Sequence, residues 1–274
     1  MKGFGQKKKG KEKNDIFSLI KKKLFNEAQI YQNNGDLDLA ARCYENIIKR
    51  GLEDAKSLSN YGIILFQQGF IDKSINLFKK SIESYPYESD LYINLSNIFK
   101  LNNELINAEI LIRKAIEINS DSIIALNNLV SILIIKKKFF EAETFCLRSL
   151  KINPHNHCAL YNLGLIYINL NRLNDSIELF RKAIEYETED FSLNLNLGVA
   201  LLKKDEFEES KKYTQIALKL NNSSFEALFN LGQIALFTND FKSAVKYFKR
   251  SLLNQSNNYK IHRYLGIAQF LCNE

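Results

Sequence analysis

The chain has 274 residues and is 46% hydrophobic, enough to bury a sizeable core, while two prolines and 11 glycines favour long helices over a strand-and-turn fold. No apolar run approaches the roughly 20 residues of a membrane span, and the basic N-terminus lacks the apolar stretch of a signal peptide, so the expected location is cytoplasmic. The net charge of +7 is local: residues 1–25 hold nine Lys against Glu12 and Asp15, which leaves the rest of the chain neutral.

In chain order, residues 1–14 with "KKKGKEK" read as a basic disordered tail, either a solvated leader or a phosphate-binding arm. From residue 15 to 274 the chain restates itself every 34 residues. Seven units start near Lys21, Ala55, Ser89, Ile123, His157, Phe191 and Phe225, and a half unit starts at Tyr259. Each opens with a helical stripe at spacing 3, 1, 3, as in Leu58, Tyr61, Gly62 and Leu65, or Leu160, Leu163, Gly164 and Tyr167. At about 100° per residue these share one face, the buried side of a first helix.

A polar break follows ("NNGD" at 33–36, "TND" at 238–240), then a second helix opening on an apolar residue such as Leu37, Ile71 or Phe241. Three positions on stands a small residue (Ala40, Ser74, Ala108, Ala142, Ser176, Ser210, Ala244). Four later comes a mostly bulky one (Tyr44, Phe78, Ile112, Cys146, Phe180, Thr214, Phe248). Small residues let helices approach and bulky ones fill the adjoining gap. Gly62, Gly164, Gly198, Gly232 and Gly266 share one phase of the first helix. Each costs on the order of 1 kcal/mol relative to alanine, so the pattern demands close helix contact. Pro86 and Pro154 stop two of the second helices.

These residues resemble the tetratricopeptide repeat family: a small residue, Gly-x-x-Tyr, then Ala-x-x-x-Phe-x-x-Ala and Pro at 34 residues. The family's early Trp is absent, Val130 stands at the glycine phase, and Asn194 and Thr214 occupy packing positions. The resemblance implies an all-α fold, an α-solenoid of antiparallel helix pairs in a right-handed superhelix, about seven units plus a terminal helix. First helices would line the concave side, and stability would come from neighbouring units.

One further residue recurs: Asn26, Asn60, Asn94, Asn128, Asn162, Asn196 and Asn230, seven of seven at 34-residue intervals. Asparagine is a mediocre helix former, and this phase lies roughly 150° from the packing stripe, toward the groove. Two uses fit it. The amides could pair with the backbone of an extended peptide, or they could bridge adjacent first helices and bind nothing. The column resembles the asparagine ladder in the tetratricopeptide region of O-linked N-acetylglucosamine transferases. Groove neighbours at a similar angle include Lys56, Leu101, Ile135, Lys203 and Phe237, whose apolar members suit a partner.

Chemistry is harder to find. His155-Asn156-His157-Cys158 is a close cluster of ligand types, but a metal site needs matched spacings elsewhere, so it reads as an ordinary turn; His262 reads as a half-buried packing residue. Cys43, Cys146, Cys158 and Cys272 form no C-x-x-C pair and are expected as reduced thiols. The expectation is a non-enzymatic scaffold with no catalytic residue, metal or cofactor, binding an extended peptide through the seven asparagines. The alternative is the substrate-recruiting region of a glycosyltransferase-like enzyme, whose catalytic domain follows Glu274 or acts in trans. The neutral body argues against nucleic acid in the groove, and no feature selects an oligomeric state.

Overall fold

The computed structural model describes residues 4–272, with side chains described from Ile16 onward. Among these residues there are fifteen helices and no strand. The pairs are α1 (Phe4–Asn34) with α2 (Leu37–Lys49), α3 (Ala55–Gln67) with α4 (Ile71–Ser84), and α5 (Ser89–Leu101) with α6 (Leu105–Ile118). Then follow α7 (Ile123–Ile135) and α8 (Phe139–Ile152), α9 (His157–Asn169) with α10 (Leu173–Tyr186), and α11 (Phe191–Lys203) with α12 (Phe207–Leu220). The last are α13 (Phe225–Phe237) with α14 (Phe241–Asn254), and the single helix α15 (Tyr259–Cys272). The chain divides into two compact units, residues 1–132 and 133–274. No described helix is long and apolar enough to cross a membrane. The expected tail, residues 1–14, falls among residues whose side chains are not described; from Phe4 its backbone belongs to α1.

One turn recurs in all seven pairs. Gly35, Gly69, Asn103, Lys137, Asn171, Asp205 and Asn239 all have positive φ, 84° at the glycines and 57–63° at the others. The next residue donates its N–H five positions back, as Glu104 does to Phe99 and Asp240 to Ala235, the signature of a Schellman ending. This left-handed residue stops the first helix and sends the chain back along it. The polar breaks of the sequence are the residue types that tolerate it, lysine excepted.

Within pairs such as α3 with α4, α9 with α10 and α13 with α14, the helices meet at the glycine phase. A Cβ on Gly164 would stand 2.6 Å from the ring of Phe180, and Gly62 and Gly232 face Phe78 and Phe248 in the same way. All three rings are fully buried. Where Ala28 and Ser96 replace glycine, the paired positions hold Tyr44 and Ile112, also fully buried. The small residues do more than make room. Ser74 donates to the Gly62 carbonyl at 2.6 Å, Ser176 to Gly164 at 2.9 Å and Ser210 to Gly198 at 2.8 Å. In α5 and α6 the direction reverses, Ser96 donating to the Ala108 carbonyl at 2.8 Å. Close approach brings a hydroxyl of one helix within reach of a carbonyl of the other, and burial makes that bond costly to lose.

Gly266 is the exception: nothing approaches its Cβ position within 4 Å, because no described helix covers that face of α15. His262, on the same stripe, is exposed rather than half-buried, with Nε2 2.7 Å from the Ser256 carbonyl oxygen.

Two stability predictions follow from this geometry. Gly164→Ala should cost about 1–3 kcal/mol by overpacking against Phe180, whereas Gly266→Ala should gain up to about 1 kcal/mol of helix propensity. Equal shifts in denaturation midpoint for the two variants would refute the close-approach account. Lys137→Gly should stabilise by about 0.5–1 kcal/mol, since it relieves the one basic side chain held at positive φ; an unchanged midpoint would count against that strain.

Candidate functional site

Members of the asparagine phase reach the preceding repeat: Asn94 meets α3 and Asn196 meets α9, both first helices, while Asn60 meets the second helix α2. First helices meet one another directly within each compact unit, α3 against α5 and α9 against α11.

The seven asparagines do not share one environment. Asn26 is exposed; Asn60, Asn94, Asn128, Asn162 and Asn196 are half-buried; Asn230 is only 8% exposed. Several bridge units. Asn60 donates from Nδ2 to the Tyr44 hydroxyl at 3.0 Å, and Asn94 donates to Ser59 Oγ at 2.8 Å. Asn196 donates to the Tyr161 hydroxyl at 3.1 Å and to the Ser192 carbonyl at 2.9 Å. The phase is common to all seven, but neighbouring helices cover its members to different degrees.

Bridging does not exhaust the amide. Each primary amide has two N–H donors and an acceptor oxygen, so Asn60 and Asn94 keep one donor and Oδ1 after their bonds to Tyr44 and Ser59. Both line a cleft of about 430 Å³ between α3 and α5, with Lys56, Glu88, Asp90 and Ile124 around it. Lys56 Nζ lies 5.3 Å from the centre of the Phe25 ring, a cation–π contact that steadies it. Ile124 is 64% exposed and offers an apolar contact at the cleft. Burial pushes the Tyr44 hydroxyl above its ordinary range, and the N–H from Asn60 offsets part of that rise. The folded state thus holds this proton above pH 10, where an unfolded tyrosine begins to lose it. The associated stability is present below pH 10 and declines as pH rises beyond it.

Lys56, Asp90 and Ile124 are 34 residues apart, each four before an asparagine, and so share its helix face. The same phase elsewhere holds Lys22, Cys158, Ser192 and Glu226. The sequence contained this second phase, but its varied chemistry gives no repeating letter to notice. Of the expected groove neighbours, Leu101, Ile135 and Phe237 are exposed.

At residues 155–158 the arrangement is structural. Asn156 caps α9, its side chain accepting from the Ala159 N–H, and also donates to Ser149 Oγ at 2.8 Å. His155 Nδ1 is 2.6 Å from the Tyr186 hydroxyl. Among the described residues no group of three or more His, Cys, Asp or Glu is placed to hold a metal.

Tetratricopeptide repeat models match residues 25–89 and 195–260, and 89–122 and 159–190, more than two thirds of the chain. The chain belongs to the tetratricopeptide repeat family. Similar solved structures include pilF of Pseudomonas aeruginosa at 20% identity and TM-score 0.69, covering 78% of this chain and 97% of that one. A tetratricopeptide repeat protein from Parabacteroides merdae is 14% identical with TM-score 0.70, covering 92% and 99%. YrrB, described as a protein of this family with an unusual peptide-binding site, is 20% identical with TM-score 0.55, covering 70% and 97%. At these identities the likeness shows the fold. No curated protein matches the chain.

Because Asn94 bonds across the seam between α5 and α3, Asn94→Ala in this repeat protein should destabilise by about 0.5–1.5 kcal/mol, while Asn26→Ala, with an exposed amide, should stay within about 0.5 kcal/mol of the parent. Chemical denaturation of both variants checks this, and an Asn94→Ala variant as stable as the parent would remove the bridging role.

Proposed function

We propose that the chain is a protein-interaction scaffold that holds an extended segment of a partner along the inner face of its first helices. The observation that carries this reading is the α3–α5 cleft, where Asn60 and Asn94 keep amide groups to spare. An extended peptide offers N–H and C=O groups at regular intervals whatever its sequence. A constant asparagine suits those groups, and the residue four positions before it supplies selectivity: a cation at Lys56, a carboxylate at Asp90, an apolar contact at Ile124. The seven asparagines contribute unequally under this reading, Asn60 and Asn94 most and the covered Asn230 least. Peptide binding by YrrB, a protein of the same fold, is in keeping with it. The function requires no chemistry from this chain.

Capture of partners from cell extract on the immobilised chain tests the proposal. A variant carrying Asn60→Ala and Asn94→Ala should retain partners about tenfold or more less well, since each amide contact is worth about 0.5–1.5 kcal/mol. Circular dichroism establishes that the variant is folded. Exchanging charge with Lys56→Glu and Asp90→Lys should change which partners are retained. Undiminished capture by the folded double-alanine variant would overturn the proposal. A transferase recovered with the captured proteins would narrow the role to substrate recruitment.

A further inference from the structure

The opposite face of the first unit carries a second cleft. It lies between α2 and α4, is floored by α3, and measures about 700 Å³. Its floor is apolar: Ala41 of α2, Leu65 of α3 and Leu77 of α4. The second unit provides an internal comparison at the same repeat phases, where Lys211 and Tyr247 stand in place of Ala41 and Leu77. There the space between α12 and α14 shrinks to about 40 Å³. Ala41 and Leu77 are smaller than their counterparts and leave more of the first cleft open.

Charge is distributed unevenly across it. On the α2 wall, Asp38 accepts from Gln68 at 2.7 Å, and Glu45 accepts from the Tyr61 hydroxyl at 2.8 Å and lies 3.6 Å from Lys49. Both carboxylates are thus drawn into bonds with neighbouring side chains. The α4 wall carries Lys73 and Lys80 with no carboxylate among the lining residues, and Arg42 faces the cleft from α2. Lys73 rests over the Phe70 ring, 4.7 Å from its centre, which fixes its position without neutralising it. Lys73 and Lys80 are seven residues apart on one helical face, about 10 Å at 1.5 Å per residue. An extended chain covers that distance in three residues at about 3.3 Å each.

We propose that this outer cleft docks an extended acidic segment of a partner protein. Two of its carboxylates, three residues apart, meet Lys73 and Lys80, and an apolar side chain between them seats on Leu65 and Leu77. The site is independent of the inner cleft, so the scaffold would engage two segments at once.

A fluorescent peptide built on repeated Glu-Val-Leu-Glu, with a Lys-Val-Leu-Lys counterpart, tests this by anisotropy on the full chain. The acidic peptide should bind, weaken as salt is raised, and lose at least tenfold in affinity in two variants. One is Ala41→Lys with Leu77→Tyr, which copies the side chains already present at these phases in the second unit. The other is Lys73→Glu with Lys80→Glu, which leaves the packing alone and so remains informative if the first variant folds poorly. The Asn60→Ala, Asn94→Ala variant should bind as the parent does. Failure of the acidic peptide to bind, equal binding of the lysine peptide, or undiminished binding to the folded closed variant would each overturn the proposal. Loss only in the double-asparagine variant would do so as well, by assigning the peptide to the inner cleft.

Discussion

The close approach of paired helices at the glycine phase governs the rest of this structure. Three glycines accept the edge of a buried phenylalanine where a single methyl group would not fit. Once the helices are that near, a serine hydroxyl on one reaches a carbonyl on the other, and the hairpin is both packed and hydrogen-bonded. The left-handed turn between them has the same consequence by a different route: it fixes where the first helix ends, and therefore which residues of the second it meets. A pair so defined still has exposed apolar flanks, and stacking against neighbours is what covers them.

Stacking then creates two unlike surfaces. First helices touch, and the residues at their seam must satisfy each other as well as anything bound there. Asparagine meets both demands because it has more hydrogen-bonding groups than one bridge consumes. Between second helices lie gaps of different size. Ala41 and Leu77 leave one open, and Lys211 and Tyr247 nearly fill another. The inner face is built from a constant residue with a variable one a turn away, the outer face from local substitutions. The two faces are therefore suited to different kinds of recognition.

Much of the fold was legible in the sequence. Helix starts at Leu37, Ile71, Leu105, Phe139, Leu173, Phe207 and Phe241 coincide with the expected second helices, because an apolar residue after a turn signal is a local event. The paired small and bulky positions were equally readable, since packing between consecutive helices repeats with the period of the chain. The serine bonds were not, because the same small-residue phase holds alanine elsewhere and only the carbonyl facing each hydroxyl gives it a use. His262 departs from its stripe for a related reason. Its phase is buried only where a second helix follows within the described structure, and over α15 none does.

By itself, then, the sequence determined the all-α class, the 34-residue unit, the starts of the second helices and the residues that bring paired helices together. These depend on interactions between residues close along the chain, where periodicity maps directly onto space. Only the tertiary structure decided which asparagines bridge, which are covered and which border a cleft, and that the gap between α2 and α4 is wide. Those outcomes depend on side chains from neighbouring repeats, such as Tyr44 beneath Asn60 and Ser59 beneath Asn94. Identical letters at identical phases acquire different surroundings there, because the partners they meet across the seam differ.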